Sequence, residues 1–166
     1  MRAVVIRTED ITERQWELLY GQLSEARRQK ADRIHLLAHR RESIAAGALL
    51  EWLLRQQGEE PPFFYCASAN GKPFLIGRDG ERKTGVYFSI THTKGLAGAV
   101  VGEVPVGLDA ERIRPYPAKV AARYFSPAEQ KLLEEGNTAA FYRIWTKKES
   151  LAKLLDLPLL QVMERP

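Results

Sequence analysis

The feature that most limits the fold is a change of period near Gly58. Before it, apolar residues recur at helical spacing from about Ala31 to Gln57 (Ile34, Leu37, Ile44, Ala48, then Leu49, Trp52 and Leu53), and Gly58 is placed to end the run. After it, Phe63-Phe64-Tyr65-Cys66, Val86 to Ile90, Leu96 to Val101 and Val106 to Leu108 read as short strands, with the turn-rich Ala69-Asn70-Gly71-Lys72-Pro73 among them. Helical pattern returns at Ala118 to Tyr124. Ser126-Pro127-Ala128-Glu129 carries an N-cap serine, a proline at the first helical position and a glutamate at the third. A last helix is expected from about Ala139 to Leu155, stopped by Leu157-Pro158. With Arg2 to Ile6 as an opening strand and Thr12 to Tyr20 as a short helix, helices lie before and after a small, mostly antiparallel sheet. That order predicts an α+β domain.

A chain of 166 residues suits one domain with a real core. Lys and Arg outnumber Asp and Glu by 25 to 21, which favours an anionic partner without specifying nucleic acid, lipid head group or phosphorylated small molecule. The basic residues concentrate in the window from Glu25 to Arg33, at His39-Arg40-Arg41 and at Lys147-Lys148. The single cysteine, Cys66, excludes an internal disulfide and a multi-cysteine zinc site, fits a reducing compartment, and is expected in the core. The opening MRAVVIRTED is too short for a secretory apolar run, and no stretch reaches the roughly 20 apolar residues that span a bilayer. A cytoplasmic location is the expectation.

Three features carry chemistry. Asp109 and Glu111 are two apart, so an extended backbone points both carboxylates to one side, where they suit a hard cation; the bland reading is a solvated turn. His92, between Thr91 and Thr93, follows strand Phe88-Ser89-Ile90 in a cluster that would suit a phosphate, or is a turn histidine bonded to a carbonyl. Glu149 and Lys153 are four apart on the face of the last helix that carries Trp145, with Leu151, Leu154 and Leu155 on the other side. In isolation that is an exposed pair worth about 0.3–0.5 kcal/mol.

The order of these pieces narrows the choice. Gly71-Lys72-Pro73, Phe88-Ser89-Ile90-Thr91-His92-Thr93, Gly107-Leu108-Asp109-Ala110-Glu111, Arg123-Tyr124-Phe125-Ser126 with Glu129, and Trp145-Thr146-Lys147-Lys148-Glu149 with Lys153 together resemble the motif series of the Sfp-type 4'-phosphopantetheinyl transferases. The likeness is close from about residue 70 to 155 and looser over Arg27 to Leu50. It implies transfer of the phosphopantetheine arm of coenzyme A to a serine of an apo acyl or peptidyl carrier protein, with release of 3',5'-ADP. It implies Mg2+, with Mn2+ as an alternative, held by Asp109, Glu111 and Glu149, with Glu149 as base and Lys153 at the departing phosphate. It places Arg28, Lys30, Arg41, Lys72, Thr91, His92 and Lys148 among the coenzyme A contacts, and the carrier against Phe125 to Leu133 and the last helix. The family's two related halves would fall at about 1–105 and 106–166 of a single domain, with the second half truncated relative to the family pattern. From that shortness a homo-oligomer is a further expectation, and a non-catalytic coenzyme A or carrier-binding module is the alternative reading. No nucleic-acid reader motif and no membrane segment is expected.

Overall fold

The computed structural model describes residues 1–133 and 137–163. Among the described residues five strands, β1 (Arg2–Arg7), β2 (Phe64–Ala67), β3 (Pro73–Ile76), β4 (Tyr87–Thr93) and β5 (Leu96–Gly102), form two antiparallel sheets. The larger has the order β1-β5-β4, with Arg2 opposite Val101 and Thr93 opposite Leu96; the smaller is the β2-β3 pair. The two-residue turn between β4 and β5 closes on Gly95 at φ +82°, a conformation that favours glycine.

Between β1 and β2 the described residues form three α-helices, α1 (Glu13–Gln22), α2 (Glu25–Asp32) and α3 (Leu37–Gln56). A reciprocal capping box between Thr12 and Gln15 starts α1. The long helix expected from Ala31 is therefore two helices. Asp32, unfavourable at a helix C-terminus, is held instead by the Tyr20 hydroxyl at 2.9 Å and by Arg40, and the chain leaves helical geometry before restarting at Leu37. On α3, Leu50, Leu53 and Leu54 are fully buried against Phe63, Leu75, Phe88, Ala99 and Val101. Each such leucine contributes about 1.5–3 kcal/mol through burial. The period-two alternation also explains Cys66, which is exposed rather than in the core: Phe63 and Tyr65 turn inward, so Cys66 turns out.

Among the described residues four helices follow: α4 (Ala118–Tyr124), α5 (Pro127–Lys131), α6 (Thr138–Leu155) and α7 (Leu159–Met163). The capping box of Ser126 and Glu129 forms as the sequence predicts. These helices share a second apolar cluster centred on Phe141, which stacks on Tyr116, Phe125 and Trp145 with ring centroids 4.5, 5.1 and 5.8 Å away. Leu151, Leu154 and Leu155 lie on the opposite, exposed side of α6. No helix among the described residues is long and apolar enough to cross a membrane. The second half expected over 106–166 extends across 134–136 and 164–166, which lie outside the described residues.

Candidate functional site

β4 has two faces with different work. Phe88 and Ile90 pack toward α3, while the alternate residues Ser89, Thr91 and Thr93 line the other face with hydroxyls. Along that second face runs the segment from Val106 to Glu111. It was expected to begin with a strand, and it does not pair as one. Its Leu108 amide donates to Ser89 Oγ at 3.1 Å and its Ala110 amide to Thr91 Oγ1 at 3.1 Å, so side-chain hydroxyls take the place of a neighbouring strand's carbonyls. Thr91 Oγ1 also lies 3.2 Å from Asp109 Oδ1, and Thr93 donates to Glu111 Oε2 at 3.4 Å. Sequence pattern alone cannot separate this arrangement from a ladder, because both need an extended backbone.

Helix α6 closes over the segment at Gly107. A Cβ there would fall 1.9 Å from the Ser150 carbonyl oxygen, an approach that only glycine permits. The contact brings Lys153 Nζ to 2.6 Å from Asp109 Oδ1 and 3.1 Å from the Leu108 carbonyl. From the other side, the turn at Ser68 to Lys72 grips the end of α6. Ser68 donates to the Asp156 carboxylate at 2.8 Å, Asn70 to the Asp156 carbonyl at 2.6 Å, and Lys72 Nζ to the carbonyls of Leu154 and Val106 at 3.3 and 3.2 Å. A cation at the last turn of a helix is also electrostatically favourable.

Asp109 is nearly buried, and its second oxygen, Oδ2, has no hydrogen-bond partner. Glu149, one turn before Lys153, is held above its usual carboxylate value first by burial and then by the Asp109 charge; Lys153 opposes the shift and Glu111 adds to it. Glu149 and Lys153 line a small cleft with Gly71, Lys72 and Ser89. A larger cleft of about 920 Å³ lies beside it, lined by His39, Glu42, His92, Lys94, Glu111, Arg112 and Arg114. There, burial holds the His92 imidazole below its usual value, helped by Lys30, Lys153 and His39 and opposed by Glu42. Buried Glu42 accepts the Gly95 amide at 3.3 Å and stands 3.9 Å from His92 Nδ1, fixing the β4–β5 turn and the histidine together. Among the described residues no group of three acid, histidine or cysteine side chains is arranged to hold a metal.

The expected residues thus divide. Asp109, Glu149 and Lys153 come together, with Glu111 and His92 at the rim of the larger cleft and Lys30 close enough to act on His92. Lys72 and Thr91 are spent on backbone and carboxylate partners that shape the site. Arg28 pairs with Glu25 at 3.2 Å and lines a separate cleft beside Glu51, and Arg41 pairs with Glu13 over the Trp16 ring. Lys148 is buried, 3.2 Å from Glu129 Oε2 and 3.2 Å from the Met163 carbonyl, so it ties α5, α6 and α7 together. Lys148→Ala is expected to cost about 3 kcal/mol by stranding the Glu129 carboxylate, while Lys147→Ala on the exposed face costs under about 0.5 kcal/mol. Urea titrations of both variants check this, and equal midpoints would refute the structural role. Glu42, Ser89, Arg112 and Arg114 were missed: the arginines gave only general charge, and a buried glutamate in an apolar helix has no local signature.

Residues 105–165 match the family model described as the 4'-phosphopantetheinyl transferase superfamily. The chain is 28% identical over 147 residues to the 4'-phosphopantetheinyl transferase psf-1 of Bacillus pumilus, covering 85% of this chain and 61% of that protein. It is 32% identical over 81 residues to the 4'-phosphopantetheinyl transferase Sfp of Bacillus subtilis strain 168, covering 44% of this chain and 36% of that one. In both matches the chain spans less than two thirds of the relative's length. Among solved structures, a holo-(acyl-carrier-protein) synthase from Bacillus anthracis, in complex with coenzyme A, aligns over 61% of this chain and 92% of its own, with a TM-score of 0.44 and 23% identity. On the family match and the curated relatives, the chain is similar over part of its length to the 4'-phosphopantetheinyl transferase superfamily.

Proposed function

We propose that this protein transfers the 4'-phosphopantetheine group of coenzyme A to a serine of an apo acyl or peptidyl carrier protein. The observation that carries the reading is the meeting of Asp109, Glu149 and Lys153 beneath α6, where the second Asp109 oxygen is buried without a partner. Carboxylate oxygens suit a hard cation, and an unpartnered buried oxygen favours one. Asp109, Glu111 and Glu149 would hold Mg2+, or Mn2+ in its place, and the ion would neutralise the coenzyme A diphosphate as it is attacked.

The remaining work falls to the chain itself. The carrier serine oxygen bonds to the pantetheine-side phosphorus, the bond to the bridging oxygen breaks, and 3',5'-ADP leaves with the electron pair. Glu149 receives the serine proton; its raised pKa lies nearer to neutrality than an ordinary carboxylate's, which suits a base. Lys153, held by Asp109 and the Leu108 carbonyl, presents its ammonium to the departing phosphate. The histidines and arginines of the larger cleft offer donors to the nucleotide phosphates. We place the boundary of the two halves near residue 105, supported by the separate apolar clusters on either side of it. A cytoplasmic setting fits the exposed free Cys66 thiol.

The test is the intact mass of an apo carrier protein after incubation with this protein, coenzyme A and Mg2+, against a metal-free control. The expected result is a gain of one phosphopantetheine arm only when metal is present. Coenzyme A binding with no mass gain across carriers of several pathways would favour the non-catalytic binding module.

A further inference from the structure

The resemblance puts Thr91 against coenzyme A, and the structure puts it elsewhere. Thr91 is 4% exposed, and its methyl packs toward Gly98, whose added Cβ would stand 3.4 Å from Thr91 Cγ2. Its hydroxyl oxygen accepts the Ala110 amide at 3.1 Å, and its proton goes to Asp109 Oδ1 at 3.2 Å. One hydroxyl therefore fixes both the backbone after Asp109 and one oxygen of the carboxylate. Lys153 takes the same oxygen from the α6 side at 2.6 Å. With Oδ1 held by two donors, Oδ2 is the oxygen left without a partner.

We infer that Thr91 is a positioning residue, orienting Asp109 so that Oδ2 is the oxygen presented to a cation, and that it does not itself contact coenzyme A. The inference rests on the cation reading above. Ser89 gives an internal contrast: it receives the Leu108 amide but has no hydrogen bond to Asp109. Partners that orient a metal-bound carboxylate typically set affinity by about 10- to 100-fold.

The experiment measures Mn2+ affinity by the electron-spin resonance signal of the free ion, coenzyme A affinity in metal-free buffer by calorimetry, and amide exchange at Ala110. Thr91→Val keeps the packed methyl and removes the hydroxyl. It is expected to weaken Mn2+ binding by about 10-fold or more, to speed Ala110 exchange, and to leave metal-free coenzyme A binding within about twofold. Thr91→Ser should restore all three. If Thr91→Val does not fold, Thr91→Ala serves with the same expectations. Parental Mn2+ affinity in the hydroxyl-free variant would overturn the inference and leave the cation site standing. Lost metal-free coenzyme A affinity would overturn it in favour of direct ligand contact. A parent that binds no Mn2+, with or without coenzyme A, would overturn the cation site and this inference together.

Discussion

Glu149→Gln is expected to lower the transfer rate by about 10²- to 10⁴-fold while raising the melting temperature of the metal-free protein near neutral pH. The two effects share a cause. Burial and the Asp109 charge raise the Glu149 pKa in the folded state, so the fold favours the protonated carboxyl. A group whose folded pKa is raised contributes stability that is fully present below its unfolded value, here near 4.5, and lost as pH rises through the raised one. Near neutral pH the charge is therefore destabilising, and the neutral amide removes that cost. The gap in melting temperature between variant and parent should shrink as pH falls toward 4.5. Saturating Mg2+ should also narrow it, because the cation compensates the charge. Parental turnover in Glu149→Gln would remove the residue from the base role. A variant no more stable than the parent at any pH would refute the electrostatic account instead.

Gly107→Ala is the second large effect. The added methyl meets the Ser150 carbonyl oxygen at 1.9 Å and the Leu154 amide nitrogen at 2.8 Å, both helix backbone that cannot swing aside like a side chain. Overpacking of about 3 kcal/mol would lower the melting temperature by about 6–12 °C in a chain of this size. Relief requires the segment to move off α6, which separates Asp109 from Lys153. Transfer should fall along with stability. Gly98→Ala, whose Cβ would meet only side-chain atoms at 3.2–3.4 Å, is the control with the smaller loss. Thermal melts and transfer assays on both variants decide it, and a Gly107→Ala protein with parental values would mean that the close approach is absent in solution.

What the sequence made legible followed from local rules. The Ser126 box, the Ala118–Tyr124 helix and the alternation through β4 and β5 each have a signature a few residues long, and each appears at its expected place, with β4 running three residues beyond Ile90. The carboxylates, too, could be picked out by spacing and motif order. What local rules leave open depends largely on partners distant in the chain. Whether Val106 to Leu108 pairs as a strand depends on hydroxyls 19 residues earlier. Whether Lys148 faces a ligand or an acid depends on how α5 packs against α6. The reach of Lys72 to the end of α6 has no local pattern that reveals it.

The grip of the Ser68 to Lys72 turn on Leu154 and Asp156 sets the phase of a rigid rod. Glu149 lies seven residues before Asp156, about 10 Å back along the helix axis, and each residue of α6 turns its successor by about 100°. With the far end clocked by that turn, lengthening α6 by one residue between Glu149 and Leu154 would swing the carboxylate out of the cleft without altering a single group in it. The spacing between Glu149 and the helix end is therefore as tightly constrained as the identity of the proposed base.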